Sequence, residues 1–203
     1  MTETRRAVAI LVFPGVELLD FAGPFEVFSA ARRSLSAPEQ LFDVFTVAES
    51  TDPLRCNNPV TVVPDYSLAS CPPSDILVIP GGQGTRGAIN RPELIDWIRT
   101  RAVTAEVTTS VCTGSFLLAQ AGLLTGKTAT THWASIERMR ESFPATTVRE
   151  QARWVDEGVV VTSAGVSAGI DMALHVIARL HGAEAAATTA RWIEYDYWNN
   201  EKG

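Results

Sequence analysis

In Ser110-Val111-Cys112-Thr113-Gly114, one nucleophile-type side chain stands where a predicted strand ends and a helical pattern begins. Small residues lie two before and two after Cys112. A tight strand-to-helix elbow demands this, and such an elbow projects its central side chain into a site from strained backbone. The helix N-terminus behind Cys112 offers free N–H groups and the positive end of a dipole, so a lowered thiol pKa and a larger reactive thiolate fraction are expected. The competing reading is a small buried hydrophobe. It is the one adopted for Cys56 and Cys71, which fall in loop or edge contexts.

Three other features could complete a site around that thiol. Pro80-Gly81-Gly82 follows the buried run Ile76–Ile79. The N–H groups of Gly81 and Gly82 can approach a ligand closely and, with the N–H of Thr113, form an oxyanion-type pocket; a plain glycine turn fits equally well. Asp20 lies in the loop after the first strand, within Val16-Glu17-Leu18-Leu19-Asp20-Phe21. Desolvation among apolar neighbours would raise its pKa towards the proton-transfer range. Glu17 competes for that role, and in the blander reading both acids are solvated and Asp20 caps a helix. His132, in Thr130-Thr131-His132-Trp133, follows a strand and precedes a helix. It could pair with Cys112 if the sheet brings the two strand ends together, or serve only the structure.

Other patterns are discounted. Gly82-Gln83-Gly84-Thr85-Arg86-Gly87 spells G-x-G-x-x-G, but Arg91-Pro92 delays the helix and Glu106 begins the next strand instead of ending it, so the dinucleotide geometry fails. His175 and His181 share no helix face, and with no H-E-x-x-H or cysteine cluster no metal site is expected. Trp192, Tyr195 and Trp198 form a stripe at helical spacing, read as core or dimer packing.

The elements that must position these residues follow from hydrophobic periodicity. Strands are predicted at Ala7–Phe13, Phe42–Ala48, Ile76–Ile79, Glu106–Val111 and Lys127–Thr131. A short β segment at Val60–Val63 pairs with Leu54–Cys56, and Arg153–Val155 with Val159–Thr162 makes a hairpin. Helices are predicted within Glu17–Arg33, with Pro24 near the start, and at Pro92–Ala102, Thr113–Ala121 (capped by Gly122), Trp133–Phe143, Gly165–Leu180 and Ala183–Trp198. Buried strands alternating with helices predict an α/β fold with a mostly parallel sheet covered on both faces, and ligands beyond the carboxyl ends of its strands.

Composition bounds the partners. The chain has 203 residues, 46% apolar and 20% charged, which suits one globular domain spanning 1–203 with its own core. Lysine plus arginine total 17 against 23 acidic residues, a net charge of −6 without a basic stripe, so nucleic acid is not an expected partner. No apolar run is long enough for a membrane span or a secretory leader. Three cysteines without C-x-x-C spacing fit a reducing compartment, and a cytoplasmic location is expected.

The sequence resembles the ThiJ/PfpI superfamily, relatives of class I glutamine amidotransferases, and within it the isonitrile hydratase branch. The likeness rests on Phe13–Pro24, Ile79-Pro80-Gly81-Gly82, Thr109–Ser115, Ala121–Gly126, Ala129–Trp133 and Ala168-Gly169-Ile170-Asp171, in family order over nearly the whole chain. It implies a flavodoxin-like three-layer sandwich, a homodimer, Cys112 as nucleophile and Asp20 as its acidic partner. Thr113 stands where the hydratase branch has threonine and protease-like members have histidine. The implied reaction adds water to an isonitrile, giving an N-substituted formamide through a cysteine thioimidate, with no metal or organic cofactor. The Cys-Thr-Gly and Thr-Thr-His-Trp segments also look like sensory domains of AraC-type regulators, whose helix-turn-helix region is not expected after Trp198. A cysteine-based redox or ligand-sensing protein and a glyoxalase-type enzyme are the rival expectations for a small electrophilic ligand.

Overall fold

The computed structural model describes residues 5–36 and 39–197. In chain order the elements are β1 (Arg6–Leu11), α1 (Leu18–Ala30), β2 (Phe42–Ala48), β3 (Leu54–Arg55), β4 (Thr61–Val62), β5 (Tyr66–Ser67), β6 (Ile76–Ile79), α2 (Thr85–Ala88), α3 (Pro92–Thr104), β7 (Val107–Val111), α4 (Gly114–Gln120) and β8 (Thr128–Ala129). A 3₁₀ turn at Trp133–Ser135 follows, then α5 (Ile136–Ser142), β9 (Thr147–Val148), β10 (Trp154–Asp156), β11 (Val160–Ser163), α6 (Ala168–His181) and α7 (Ala183–Trp192).

Seven strands form one sheet in the order β10-β11-β7-β6-β1-β2-β5. All neighbours run parallel except β10 and β11, which make the expected hairpin. Val8–Leu11 and Ile76–Ile79 are wholly buried. That is why these strands read as unbroken apolar runs: each is covered on both faces. Helix α1 packs on α6 and α6 on α7, while α3 packs on α4. The result is the flavodoxin-like three-layer arrangement expected from the sequence. β1 lies between β2 and β6, so the winding reverses there and a crevice opens beyond the carboxyl ends of β1, β6 and β7.

Four local expectations are corrected. Helix α1 begins at Leu18, so Asp20 sits in its first turn, not in a loop, and Pro24 lies in the helix interior. Strand β8 stops at Ala129 and pairs with β9 outside the main sheet; Thr130 instead donates its N–H to the Thr162 hydroxyl at 2.9 Å. Helix α7 ends at Trp192 because Glu194 takes a left-handed backbone and the Tyr195 N–H bonds back to the Ala190 carbonyl at 2.9 Å. The aromatic stripe is thereby broken: Trp192 carries the Arg32 guanidinium on its ring, Tyr195 turns to Asp171, and Trp198 lies outside the described residues. Finally, a single helical turn, α2, does open inside the glycine-rich run. Two of its glycines serve close packing: a Cβ on Gly82 would fall 2.4 Å from the Glu17 nitrogen and one on Gly84 2.0 Å from the Pro14 carbonyl, whereas Gly87 has open space.

Candidate functional site

The elbow forms as its small neighbours demand. Cys112 has φ +57°, a left-handed backbone that a non-glycine residue adopts at a cost of order 1–3 kcal/mol. A Cβ on Gly114 would stand 2.0 Å from the Ile79 carbonyl, so only glycine lets α4 start this close to β6. The strained turn is held from several sides. The Cys112 N–H donates to the carbonyls of Ser163 and Ala164, and the hydroxyls of Ser115 and Thr131 each donate to the Cys112 carbonyl at 3.0 Å.

Asp20 is brought to the thiol by the first turn of α1. It is fully buried. Its Oδ2 accepts the Gly81 N–H at 2.9 Å, and its Oδ1 has no partner of hydrogen-bond geometry among the described residues. The Cys112 thiol stands beside this carboxyl, and each group shifts the titration of the other. Burial raises the Asp20 pKa from 3.8 to about 7, against the opposing Gly81 N–H and Cys112 thiol; the charge of Glu17 adds slightly. Glu17 is otherwise engaged, its carboxylate accepting from the Asn57 amide at 2.9 Å.

Cys112 does not meet the expectation of a lowered thiol pKa. Burial, and then the negative charge of Asp20, push it up to about 12, outweighing the N–H groups of Thr113 and Val166 that bond to the sulfur. With Cys112 only 6% exposed, desolvation wins over the helix N-terminus.

The glycine pair also acts differently from an oxyanion pocket. The Gly81 N–H is spent on Asp20, and the Gly82 N–H is donated to the Thr113 hydroxyl oxygen at 3.0 Å. Gly81 is required by space: a Cβ there would lie 2.5 Å from the Thr113 nitrogen and 2.9 Å from Asp20 Oδ2. The Thr113 side chain is part of this knot. It lies 3.1 Å from the Thr85 hydroxyl, which itself donates to the Gly82 carbonyl at 2.6 Å. Thus Asp20, Gly81, Gly82 and Thr113 are brought together around Cys112.

His132 is not joined to them. Its Nδ1 accepts the Ala134 N–H at 3.2 Å, capping the 3₁₀ turn, and its ring lies against Gly165, where a Cβ would stand 2.4 Å from Cδ2. Among the described residues no hydrogen bond links His132 to Cys112.

Sequence reasoning missed Val166, whose N–H reaches the sulfur from a left-handed backbone at φ +49°. The signal available was its place just beyond the carboxyl end of β11. It also missed the brace behind that loop. Arg153 donates to the buried Asp171 carboxylate at 2.6 Å and to the Ser167 hydroxyl at 3.2 Å, and the Tyr195 hydroxyl donates to Asp171 at 3.1 Å. Beside the elbow opens a cleft of about 580 Å³ whose walls include Thr131, Trp133, Arg153 and Ala164. No group of three or more His, Cys, Asp or Glu side chains among the described residues is arranged to hold a metal ion, and no helix among them is long and apolar enough to cross a membrane.

Residues 6–179 match the model of the DJ-1/PfpI family. The chain is 35% identical over 188 residues to isonitrile hydratase of Pseudomonas putida, covering 93% of this chain and 78% of that protein. It is 31% identical over 176 residues to the HTH-type transcriptional regulator CdhR of Pseudomonas aeruginosa, covering 87% of this chain but 51% of the regulator, about half its length. Among solved structures, a ThiJ/PfpI family protein from Pseudomonas syringae superposes with a TM-score of 0.85 at 31% identity, covering 97% of this chain and 78% of that one.

Proposed function

From the premise that this chain belongs to the DJ-1/PfpI family, we propose that it is an isonitrile hydratase, converting R–N≡C and water to R–NH–CHO with Cys112 as nucleophile and Asp20 as proton carrier. The observation that carries the reading is the buried thiol–carboxyl pair, with Asp20 titrating at about 7. The likeness to the Pseudomonas putida hydratase supplies the substrate class.

A preformed thiolate is scarce in this pair, and the chemistry does not need one. Ionised Asp20 takes the thiol proton as sulfur bonds to the terminal isonitrile carbon, then delivers that proton to the same carbon. The product is the thioimidate R–N=CH–S–Cys112. Asp20, again ionised, then draws a proton from water as the oxygen adds to that carbon and passes it to the nitrogen, giving R–NH–CH(OH)–S–Cys112. Collapse of the adduct breaks the C–S bond, forms the formamide carbonyl and returns a proton to sulfur. A carboxyl poised near neutrality serves both directions of transfer. The Thr113 and Val166 N–H groups favour negative charge on sulfur as it attacks and as it leaves. The Gly81 N–H orients Asp20, and Thr113 is assigned a positioning role through Gly82.

The test is incubation of the purified protein with an aromatic isonitrile, following formamide formation, with Cys112→Ala alongside. Turnover should vanish in the variant; turnover that persists removes the covalent mechanism. The likeness to half of a transcriptional regulator favours ligand sensing as the second reading. A folded wild type without turnover, but stabilised by isonitrile-sized ligands, would establish that reading instead.

A further inference from the structure

On the far side of the Thr113–Thr85 contact, α2, α4 and α5 enclose a second cleft of about 340 Å³. Two arginines face it, Arg86 from α2 and Arg138 from α5, and Ile89, Phe116 and Phe143 supply apolar walls. Among the described residues no carboxylate lines it. The Arg138 guanidinium lies over the Phe116 ring with Cζ 4.2 Å from the ring centre. Its Nε is buried and has no hydrogen-bond partner among the described residues. Arg86 reaches only the neutral amide oxygen of Gln83. Among the described residues neither cation has an acidic partner.

This arrangement is costly as it stands. A guanidinium held against an aromatic face has lost part of its hydration, and a like charge across the cleft adds repulsion. Burial and the charge of Arg86 both lower the pKa of Arg138. An anion between the two forks would satisfy the orphaned Nε, offset the repulsion and match the planar geometry that arginine presents to carboxylates. The three apolar side chains call for a hydrocarbon body attached to that anion, and the volume lies at the lower end of small-ligand pockets.

We infer that the Arg86–Arg138 cleft is a binding site for a small carboxylate with an apolar, ring-sized body, separate from the Cys112 site. The glycine-rich run contributes by placing Arg86: Gly82 and Gly84 pack against residues 13–17, in the loop after β1, and the single turn of α2 follows. Thr85 lines the cleft and touches Thr113, so an occupant would rest on the same turn that braces the elbow.

The test uses the full chain in a buffer free of carboxylate and phosphate. Benzoate is titrated by calorimetry, with benzyl alcohol and inorganic phosphate as probes of body without charge and charge without body. The variants are Arg86→Gln, Arg138→Gln and Cys112→Ala. The expected result is saturable benzoate binding, weakened at least tenfold in each arginine variant and unchanged in Cys112→Ala, with both control ligands at least tenfold weaker. Circular dichroism checks that the variants fold; Arg86 is exposed, so its variant decides the matter if Arg138→Gln is unstable. No benzoate binding up to about 10 mM overturns the inference. So does binding indifferent to the arginines, binding lost in Cys112→Ala, or phosphate binding as tight as benzoate.

Discussion

Asp20→Asn separates charge from shape at the site. The amide is isosteric with the carboxyl, and its oxygen can keep the Gly81 N–H at the observed 2.9 Å. In the folded chain Asp20 titrates at about 7, against 3.8 for an ordinary aspartate. The folded state therefore holds the proton more tightly than the unfolded state. Its contribution to stability is complete below about pH 3.8, is lost progressively as pH rises towards 7, and is constant above that. At 1.36 kcal/mol per unit, the shift from 3.8 to about 7 corresponds to about 4 kcal/mol lost near pH 8, and to roughly 1 to 2 kcal/mol lost near pH 5. Asparagine escapes this loss. Chemical denaturation of both proteins at the two pH values gives a double difference from which any fixed packing cost of the amide cancels. The variant should gain about 3 kcal/mol on wild type between pH 5 and pH 8. Its turnover should fall by about 10²- to 10⁴-fold, the usual worth of a positioned acid–base group. A stability difference equal at both pH values would refute the desolvated carboxyl, and undiminished turnover would refute its role.

The remaining expectations probe the pair and its supports. With Cys56 and Cys71 replaced by alanine, iodoacetamide labelling of Cys112 should accelerate about tenfold per pH unit from pH 7 to 9 without a plateau, because the thiol titrates at about 12; a plateau near neutrality contradicts this. Gly81→Ala drives a Cβ to 2.5 Å from the Thr113 nitrogen, and thermal melting should register a loss of about 3 kcal/mol or more together with lost turnover. An unchanged melting temperature would show that the elbow yields where the packing says it cannot. Asp171→Ala leaves Arg153 and Tyr195 without their shared acceptor, and denaturant unfolding should show roughly 3 kcal/mol of destabilisation. A loss under about 1 kcal/mol would mean that the brace behind Val166 is dispensable.

What could be read from the sequence divides along physical lines. Strands β1 and β6 were legible because they are covered on both faces, which leaves apolar runs at Val8–Leu11 and Ile76–Ile79; β7 is buried as completely but carries Thr108, Thr109 and Ser110. The elbow was legible because crowding against Ile79 admits only glycine at 114. Strand β8 was over-read because a short polar-apolar run says nothing about which sheet it joins; its partner β9 lies nearly twenty residues onward. The end of α7 was missed because a left-handed Glu194 has no compositional mark. The titration of Cys112 was misjudged for a different reason. A helix N-terminus can be inferred from local sequence, whereas burial and the charge beside the sulfur depend on parts of the chain far from it, among them Asp20 of α1 and Val166 in the loop after β11.

The N–H groups around the site also constrain what catalysis here can use. Four backbone donors cluster at the switch point, and the sequence suggested aiming three of them, those of Gly81, Gly82 and Thr113, at a ligand. In the fold, those of Gly81 and Gly82 are consumed by Asp20 and the Thr113 hydroxyl, and those of Thr113 and Val166 both meet the Cys112 sulfur. Preorganised donors stabilise only the charge they face. The arrangement therefore favours reactions in which sulfur gains and releases negative charge, over acyl transfers that build charge on a substrate oxygen. Addition to an isonitrile carbon fits that demand. The electrophile carries no oxygen, its charge is discharged by a proton on carbon, and the group that must leave at the end is the thiolate itself.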